Sequence, residues 1–181
     1  MFGSKVNSEG KDINADGRTP VLVGERVMDN VLQDFKFNDD KTKLILEFKQ
    51  TNGAIFSPSF MSPREGNSKD LDNLKRNMLH ICTKIVSEDE FWATVANTTS
   101  FEEYINAIMN KILVKAKGKQ FNLKIIHYNN YASFPFPNFI EKGDTVESTF
   151  NTGKNDVYVR TATTDAASAS SAAAPATTNI F

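Results

Sequence analysis

The sequence predicts an α+β fold in which three β-strands are followed by helices and then by two more strands. Residues 41–50 and 121–128 both alternate between apolar and polar side chains, a period of two that is typical of half-buried strands. Between these segments, apolar side chains recur at helical spacing behind residues that favour helix N-termini. These observations fix the order of the elements.

The first three strands form a predicted meander over residues 31–60. In its middle strand, the apolar face is Leu44, Leu46 and Phe48, and the opposite face is Lys43, Ile45, Glu47 and Lys49. Thr-Asn-Gly at 51–53 is a hairpin signal that leads into the third strand. The last two strands are predicted at 121–128 and within 131–139. The second of these contains prolines and therefore indicates an edge strand or a strand-like loop.

Three helices are predicted between the third and fourth strands. Their predicted N-caps are Ser68, Ser87 and Ser100, and acidic residues follow each of them in the first turn, where they suit the helix dipole. The third helix is expected to run to about Ala116, and Gly118 is a natural stop.

This order is the layout of an OB-like five-stranded antiparallel barrel with helices inserted between strands 3 and 4. Barrels of this kind bind oligonucleotides on one face and between their loops. An open sheet with helices on one side has the same order of elements, so both architectures remain possible on this evidence.

The chain divides into a flexible leader at 1–19, a binding domain at 20–160 and an Ala/Ser/Thr-rich disordered tail at 161–181. With one cysteine, Cys82, no intrachain disulfide is possible. No apolar run reaches the ~20 residues that a membrane helix requires, and the start shows no signal-peptide core. A cytoplasmic protein without membrane association is therefore expected.

Nothing in the sequence indicates an enzyme. Cys82 and His80 lie two residues apart on a predicted helix and so do not share a face, and His127 stands in a strand. Two isolated histidines and one cysteine do not supply the three or four ligands of a usual metal site. Because no phosphate-binding glycine loop or hydrolase motif occurs either, we expect neither a catalytic residue nor a cofactor.

Lysines and aromatic residues are interleaved in the last third of the chain. Between Glu103 and Glu141 there are five lysines and no acidic residue, although the whole chain carries a net charge of −1. Lysines neutralise phosphates and aromatic rings stack on unpaired bases, so this mixture suits single-stranded nucleic acid. A core rich in aromatic residues and edged with solubilising lysines explains the pattern equally well.

The segment 121–140, FNLKIIHYNNYASFPFPNFI, resembles bacteriophage single-stranded DNA-binding proteins. The resemblance rests on a lysine-containing apolar strand, a Tyr-Asn turn and a Pro-containing run that ends in Phe-Ile, and it extends loosely over residues 28–141. It implies an OB-fold, a role in phage DNA replication or recombination and, for a phage protein, a place in the host cytoplasm. The family's tails commonly end in an acidic tip with a final Phe. Here Phe181 matches and Ile180 is in keeping with it, but Asp165 is the tail's one acidic residue.

The leading hypothesis is sequence-non-specific binding of single-stranded DNA. Lys43, Lys49, Lys119 and Lys124 are predicted to contact phosphates, and the predicted stacking surfaces are Tyr128, Tyr131, Phe134 and Phe136. Ile180 and Phe181 are predicted to recruit replication or recombination proteins. The alternative is a non-enzymatic structural or adaptor protein, for instance of a virion, that uses the aromatic segment and the tail for protein contacts.

Overall fold

A computed structural model describes residues 5–6, 12–13, 19–128, 131–136, 138–151, 153, 156 and 158. Its strands are β1 (Lys5–Val6), β2 (Asp12–Ile13), β3 (Gly24–Phe37), β4 (Lys43–Lys49), β5 (Ile55–Phe56), β6 (Ser59–Met61), β7 (Gln120–Tyr128), β8 (Tyr131–Ser133) and β9 (Ile140–Lys142). Its helices are α1 (Ser68–Cys82), α2 (Glu88–Val95), α3 (Phe101–Lys111) and a 3₁₀-helix, Leu113–Ala116.

Seven strands form an antiparallel sheet that curls into a nearly closed barrel. The order is β5–β4–β3–β7–β8, with β6 also paired to β4 and β9 also paired to β7. Aromatic rings link the two ends of this sheet: Phe56 contacts Phe134 at 5.0 Å between ring centroids, and Phe60 contacts Phe136 at 6.1 Å. The helices follow β6 and precede β7 along the chain.

Prolines shorten two of the five predicted strands. Pro58 separates β5 from β6. The strand expected within 131–139 is reduced to β8, and β9, which begins at Ile140 after the Pro-containing segment, was not predicted. Proline has no N–H to donate to a neighbouring strand, so each break falls where the ladder loses a donor. The predicted meander is otherwise confirmed, and the inward side chains of β4 are at most 1% exposed.

Strand β3 begins seven residues earlier than the predicted strand at 31–37. Its first half pairs with β7 and its second half with β4, so it joins the two halves of the sheet. The pairing with β7 shifts register between Gly24 and Val27 and again between Val27 and Asn30. Asp29 lies between these points with φ of 56°. Such bulges break the period of two, which explains why alternation did not reveal this half.

The three predicted helices are present, with one corrected cap. Ser87 and Ser100 each accept the backbone N–H three residues on, as predicted. Helix α1 is capped instead by Asn67, whose side chain accepts the N–H of Asp70, so Ser68 is the first helical residue. The third helix leaves α geometry after Lys111 and continues as the 3₁₀ turn.

The helices and the barrel share one hydrophobic core. Rings connect them at two points: Phe37 of β3 meets Phe101 of α3 at 6.0 Å, and Phe139 meets His80 of α1 at 5.0 Å. The helices therefore fix the position of the segment that follows β8, which carries several predicted site residues.

The predicted leader contains a small antiparallel ladder, in which Lys5 lies opposite Ile13 and Val6 opposite Asp12. The predicted tail at 161–181, with Ile180 and Phe181, lies outside the described residues. No helix in the described part of the chain is both long and apolar enough to span a bilayer.

Candidate nucleic-acid interface

Two exposed tyrosines face each other across the β7–β8 hairpin. Tyr128 and Tyr131 are Cα partners in the antiparallel ladder, and they are 64% and 75% exposed. Directly opposed residues project from the same face of a sheet, with Cβ atoms about 5 Å apart. The hairpin therefore presents two phenol rings side by side to solvent.

Phe136 adds a third exposed ring beside this hairpin. Its side chain is 46% exposed, and a surface groove is lined by both Phe136 and Tyr128. The ring is held from behind by edge-to-face contacts with Phe60 at 6.1 Å and Phe139 at 4.9 Å. Because these contacts fix its orientation, a planar group that stacks on Phe136 meets a pre-ordered surface.

Phe134 is core rather than surface, which corrects its prediction as a stacking residue. It is 5% exposed and packs against Phe56 at 5.0 Å and Phe139 at 4.3 Å. In a regular extended chain positions 134 and 136 would share one side. The chain bends at Phe136 after Pro135, so Phe134 is buried while Phe136 is exposed. Phe134 closes the barrel instead.

Lys124 is also buried, which corrects its prediction as a phosphate contact. Its side chain is 3% exposed, and its ammonium lies 2.5 Å from Oδ2 of Asp156, which is 8% exposed. It also donates a hydrogen bond to the carbonyl of Asn151. Burial raises the pKa of Asp156, but the hydrogen bonds from Lys124 and the Gly153 N–H outweigh it, so that pKa lies below its usual range.

A covering segment, residues 144–158, explains this burial. Its residues Asn151, Gly153 and Asp156 lie over the outer face of β7, where Ile126 shares a side with Lys124. The segment is anchored at Glu141, which accepts hydrogen bonds from the Ser148 and Thr149 side chains. Strand β7 is consequently buried on both faces from 121 to 126, although its alternation predicted one exposed face.

Lys43 and Lys49 occupy the two ends of the outer face of β4. Lys49 is exposed, Lys43 is half-buried, and the structure pairs neither with a carboxylate among the residues it describes. Between them, Glu47 is paired with Lys36 at 2.6 Å. The outer face of β4 therefore carries a net positive charge.

Lys119 lies away from the tyrosines. It precedes β7, whereas Tyr128 ends it, and nine strand residues span about 30 Å. Together with Lys84 and Lys142, Lys119 lines a cleft that also contains Asp144. The predicted residues thus separate into a tyrosine end and a lysine end. Lys49 belongs to the lysine end, because Val31 of β3 pairs with Lys49 on one side and with Gln120, the neighbour of Lys119, on the other.

The sequence did not single out Met61 and Arg64, which continue the surface beyond Phe136. Met61 is 58% exposed, lies opposite Lys43 in the β4–β6 ladder, and shares a groove with Phe136. Arg64 lines the same groove and pairs with Asp70 at 2.7 Å. The alternation Ser-Phe-Met at 59–61, with Phe60 inward, was a signal that Met61 faces outward.

The cysteine and His80 are placed for packing. Burial raises the pKa of the fully buried Cys82 thiol to about 12, so it is protonated and unreactive at neutral pH. Burial, with a smaller effect of Lys84, lowers the pKa of His80 to about 4. Among the described residues, no three His, Cys, Asp or Glu side chains are grouped as metal ligands.

No protein-family model, curated protein or solved structure matches this chain.

Proposed function

We propose that this protein binds single-stranded DNA without sequence specificity on the outer surface of an OB-like barrel, and that it serves phage DNA replication or recombination in the host cytoplasm. The observation that carries the proposal is the opposed pair Tyr128 and Tyr131, with Phe136 beside it. We expect no catalytic activity and no cofactor.

Three exposed aromatic rings lie near one another on the barrel, which indicates a binding surface. Large exposed apolar patches on soluble proteins usually mark interaction sites, because their hydration is unfavourable. Stacking of a base on an aromatic side chain contributes about 1–3 kcal/mol and tolerates any sequence, since every base has a π-face. Tyrosine also keeps its hydroxyl in water or on a phosphate while its ring stacks.

The order of strands supports the OB-like part of the proposal. The long strand β3 belongs to both halves of the sheet, the meander β3–β4–β5/β6 comes first, and β7 with β8 and β9 follows the helices. In OB-folds, oligonucleotides lie across the face of the second and third strands and between the loops. The corresponding surface here carries Lys43, Met61 and Phe136.

Lys43 and Lys49 supply the electrostatic part of the proposed interface. A single strand releases about 0.7 counterions for each phosphate that a protein neutralises. If these two lysines each neutralise one phosphate, together they contribute a slope of about −1.4 to the dependence of log affinity on log salt concentration. Replacing both with methionine is expected to reduce the slope by that amount.

Fluorescence anisotropy of a labelled 30-nucleotide oligo-dT at low and high salt tests the proposal, with duplex DNA as the control ligand. We expect tight, salt-sensitive binding to the single strand alone. The double variant Tyr128→Ala/Tyr131→Ala is expected to lose about 30-fold or more in affinity, at ~1 kcal/mol or more per lost stack. Trp92→Ala is the matched control, because Trp92 is a 44% exposed aromatic residue on α2.

Absence of binding at low salt would remove the nucleic-acid proposal. The exposed rings would then be protein contacts of a structural or adaptor protein. Equal losses for the tyrosine and tryptophan variants would instead place the interface elsewhere on the molecule.

The tip of the tail is proposed as a separate binding site for replication or recombination proteins. Deletion of residues 179–181, which include Ile180 and Phe181, is expected to leave oligo-dT affinity unchanged and to abolish co-purification with such partners. A loss of DNA affinity on this deletion would contradict the division of labour between barrel and tail.

A further inference from the structure

The cleft at the lysine end of the molecule is lined by three lysines from separate elements. Lys84 follows helix α1, Lys119 precedes strand β7, and Lys142 ends strand β9. Lys119 and Lys142 are exposed and Lys84 is half-buried, so all three side chains are in contact with solvent. The fold thus gathers in one cleft three cations that are far apart in the sequence.

None of these lysines forms an ion pair within the part of the chain that the structure describes. Other lysines of the molecule do pair with carboxylates: Lys36, Lys41, Lys115, Lys117 and Lys124. Asp144 lines the cleft but pairs with none of its lysines, and the cleft has a net charge of +2 from three lysines and one aspartate. Like charges held together repel one another, so an anion that enters the cleft relieves this repulsion.

The backbone beneath these side chains is fixed by hydrogen bonds. The N–H of Lys119 donates to the carbonyl of Ala116 at 2.9 Å, and the carbonyl of Lys119 accepts the N–H of Leu32 at 3.1 Å. The end of β9 is tied to the start of β7, since the Gly143 N–H donates to the Gln120 carbonyl at 3.0 Å. Because the platform is ordered in advance, an anion has to immobilise only the lysine side chains.

The chemistry of the cleft suits phosphates rather than bases. Its apolar residues are Ile85, which is half-buried, and Phe121, which is 2% exposed, so the described lining offers no exposed ring for stacking. Lysine binds phosphate as a point charge, and its three donors adapt to any orientation of the oxygens. Such a cleft recognises a phosphodiester backbone whatever its sequence.

The cleft also lies close to the positively charged outer face of β4. Val31 pairs with Lys49 on one side and with Gln120 on the other, so Lys49 and Gln120 are two strand spacings apart, about 10 Å. From Lys43 to Lys49, strand β4 spans about 20 Å. A nucleic-acid strand that follows β4 from Lys43 reaches the cleft after about 30 Å, a distance that about nine nucleotides cover even at the 3.4 Å spacing of stacked bases.

We propose that this cleft binds phosphates of the same single strand that stacks on the tyrosine end, as a second contact that is independent of the bases. The strand is then held by stacking at one end of the molecule and by charge at the other. Lys119 acts there together with Lys84 and Lys142, which the sequence did not single out. This inference rests on the proposed single-strand binding and extends it to a separate surface.

The test is the salt dependence of anisotropy titrations with 30-nucleotide oligo-dT between 50 and 200 mM salt. Lys119→Gln/Lys142→Gln removes two of the proposed phosphate contacts, each of which contributes about 0.7 to the slope of log affinity against log salt concentration. The slope is expected to become shallower by about 1.4, so the loss of affinity over this fourfold range of salt becomes about sevenfold smaller. Tyr128→Ala/Tyr131→Ala removes no charge and is expected to lower affinity at an unchanged slope.

Lys75→Gln is the matched control for the single variant Lys142→Gln. Lys75 is likewise an exposed lysine without an ion pair among the described residues, but it lines a different groove, together with Leu71 and Phe101. Lys142→Gln is expected to change the slope by about 0.7, and Lys75→Gln is expected to leave it unchanged. An equal change in both would reflect total charge alone and overturns the site. Thermal melts check that every variant is folded.

A second measurement uses the wild-type protein. Bound oligo-dT is expected to slow chemical acetylation of Lys84, Lys119 and Lys142, followed by mass spectrometry, and to leave acetylation of Lys75 unchanged. Unprotected cleft lysines, or an unchanged slope in the folded double lysine variant, overturn the cleft and leave single-strand binding intact. A wild-type protein that does not bind oligo-dT overturns both proposals.

Discussion

Replacing Lys124 with methionine separates its structural role from its predicted role in DNA binding. The variant leaves the Asp156 carboxylate buried without its cation, although the Gly153 N–H at 2.5 Å and the Tyr158 hydroxyl at 3.2 Å still donate to it. Removal of one partner from a buried ion pair costs about 3–5 kcal/mol. Because those two donors remain and Asp156 belongs to the covering segment, we expect the lower end, ~3 kcal/mol.

Urea denaturation followed by circular dichroism measures this change as a shift of the midpoint at constant slope. The double variant Lys124→Met/Asp156→Leu removes both charges and is expected to recover stability to within about 1 kcal/mol of the wild type. Lys115→Met is the control, since the pair of Lys115 with Glu90 is roughly half-exposed on both sides and such pairs contribute little.

The pH dependence has a defined sign. In the wild type the folded-state pKa of Asp156 is depressed, so its contribution is complete above the unfolded value of about 3.9 and is lost as the pH falls through the folded-state pKa. In Lys124→Met, burial without the cation raises that pKa. The variant is therefore expected to regain stability relative to the wild type as the solution is acidified.

A loss below 1 kcal/mol in Lys124→Met, or a double variant as unstable as the single one, would refute the reasoning about the buried pair. If the double variant is folded yet binds oligo-dT much more weakly than the wild type, then Lys124 reaches DNA after all, and the covering segment must move on binding.

Three further changes test other parts of the fold. Gly143→Ala is expected to cost about 1–3 kcal/mol, because a Cβ there lies 2.8 Å from the backbone oxygen of Gln120; thermal melts check this. The wild type is expected to lose stability as the pH falls from about 6.5 to about 4, because there the unfolded state binds a proton at His80 and the folded state does not. His80→Gln is expected to lose less, by at most ~3 kcal/mol, as denaturation at several pH values measures. Asn67→Ala is expected to cost about 1 kcal/mol and Ser68→Ala much less, and equal losses in denaturant midpoint would contradict the assigned cap.

Helices and the meander were predictable because their signals are local. Ser87 and Ser100 cap their helices through atoms three residues away, and the alternation of β4 reports one buried face directly. The cap of α1 was displaced by one residue because Asn67 and Ser68 are both good capping residues, and sequence alone does not decide between adjacent candidates.

Burial of β7 on both faces was not predictable, because the cause lies about 30 residues later. The covering segment has no regular period, so nothing marks it as packed against a strand. A polar residue in an alternating strand normally indicates the solvent side, and Lys124 breaks that rule only because Asp156 and the Asn151 carbonyl satisfy its ammonium.

The candidate site was predictable only where its signals are local. Tyr128 and Tyr131 stand opposite each other at adjoining strand ends and are exposed. Phe134 and Phe136 differ only in which side of an irregular segment they occupy, which tertiary packing decides.

Because strand β3 pairs with both β4 and β7, the sheet cannot be completed during synthesis until β7 has been made. Its partner in β7 is remote: the side chain of Asn30 bonds to the carbonyl of Phe121, 91 residues further along the chain. Pairings of such high contact order fold slowly, since loop closure must precede the gain from contacts. While the ribosome synthesises the helices, the apolar face of the β3–β4 hairpin has no β7 or completed core to cover it. Nascent chains that stop before residue 120 are therefore expected to aggregate, whereas chains that extend beyond β9 have every strand needed to complete the sheet.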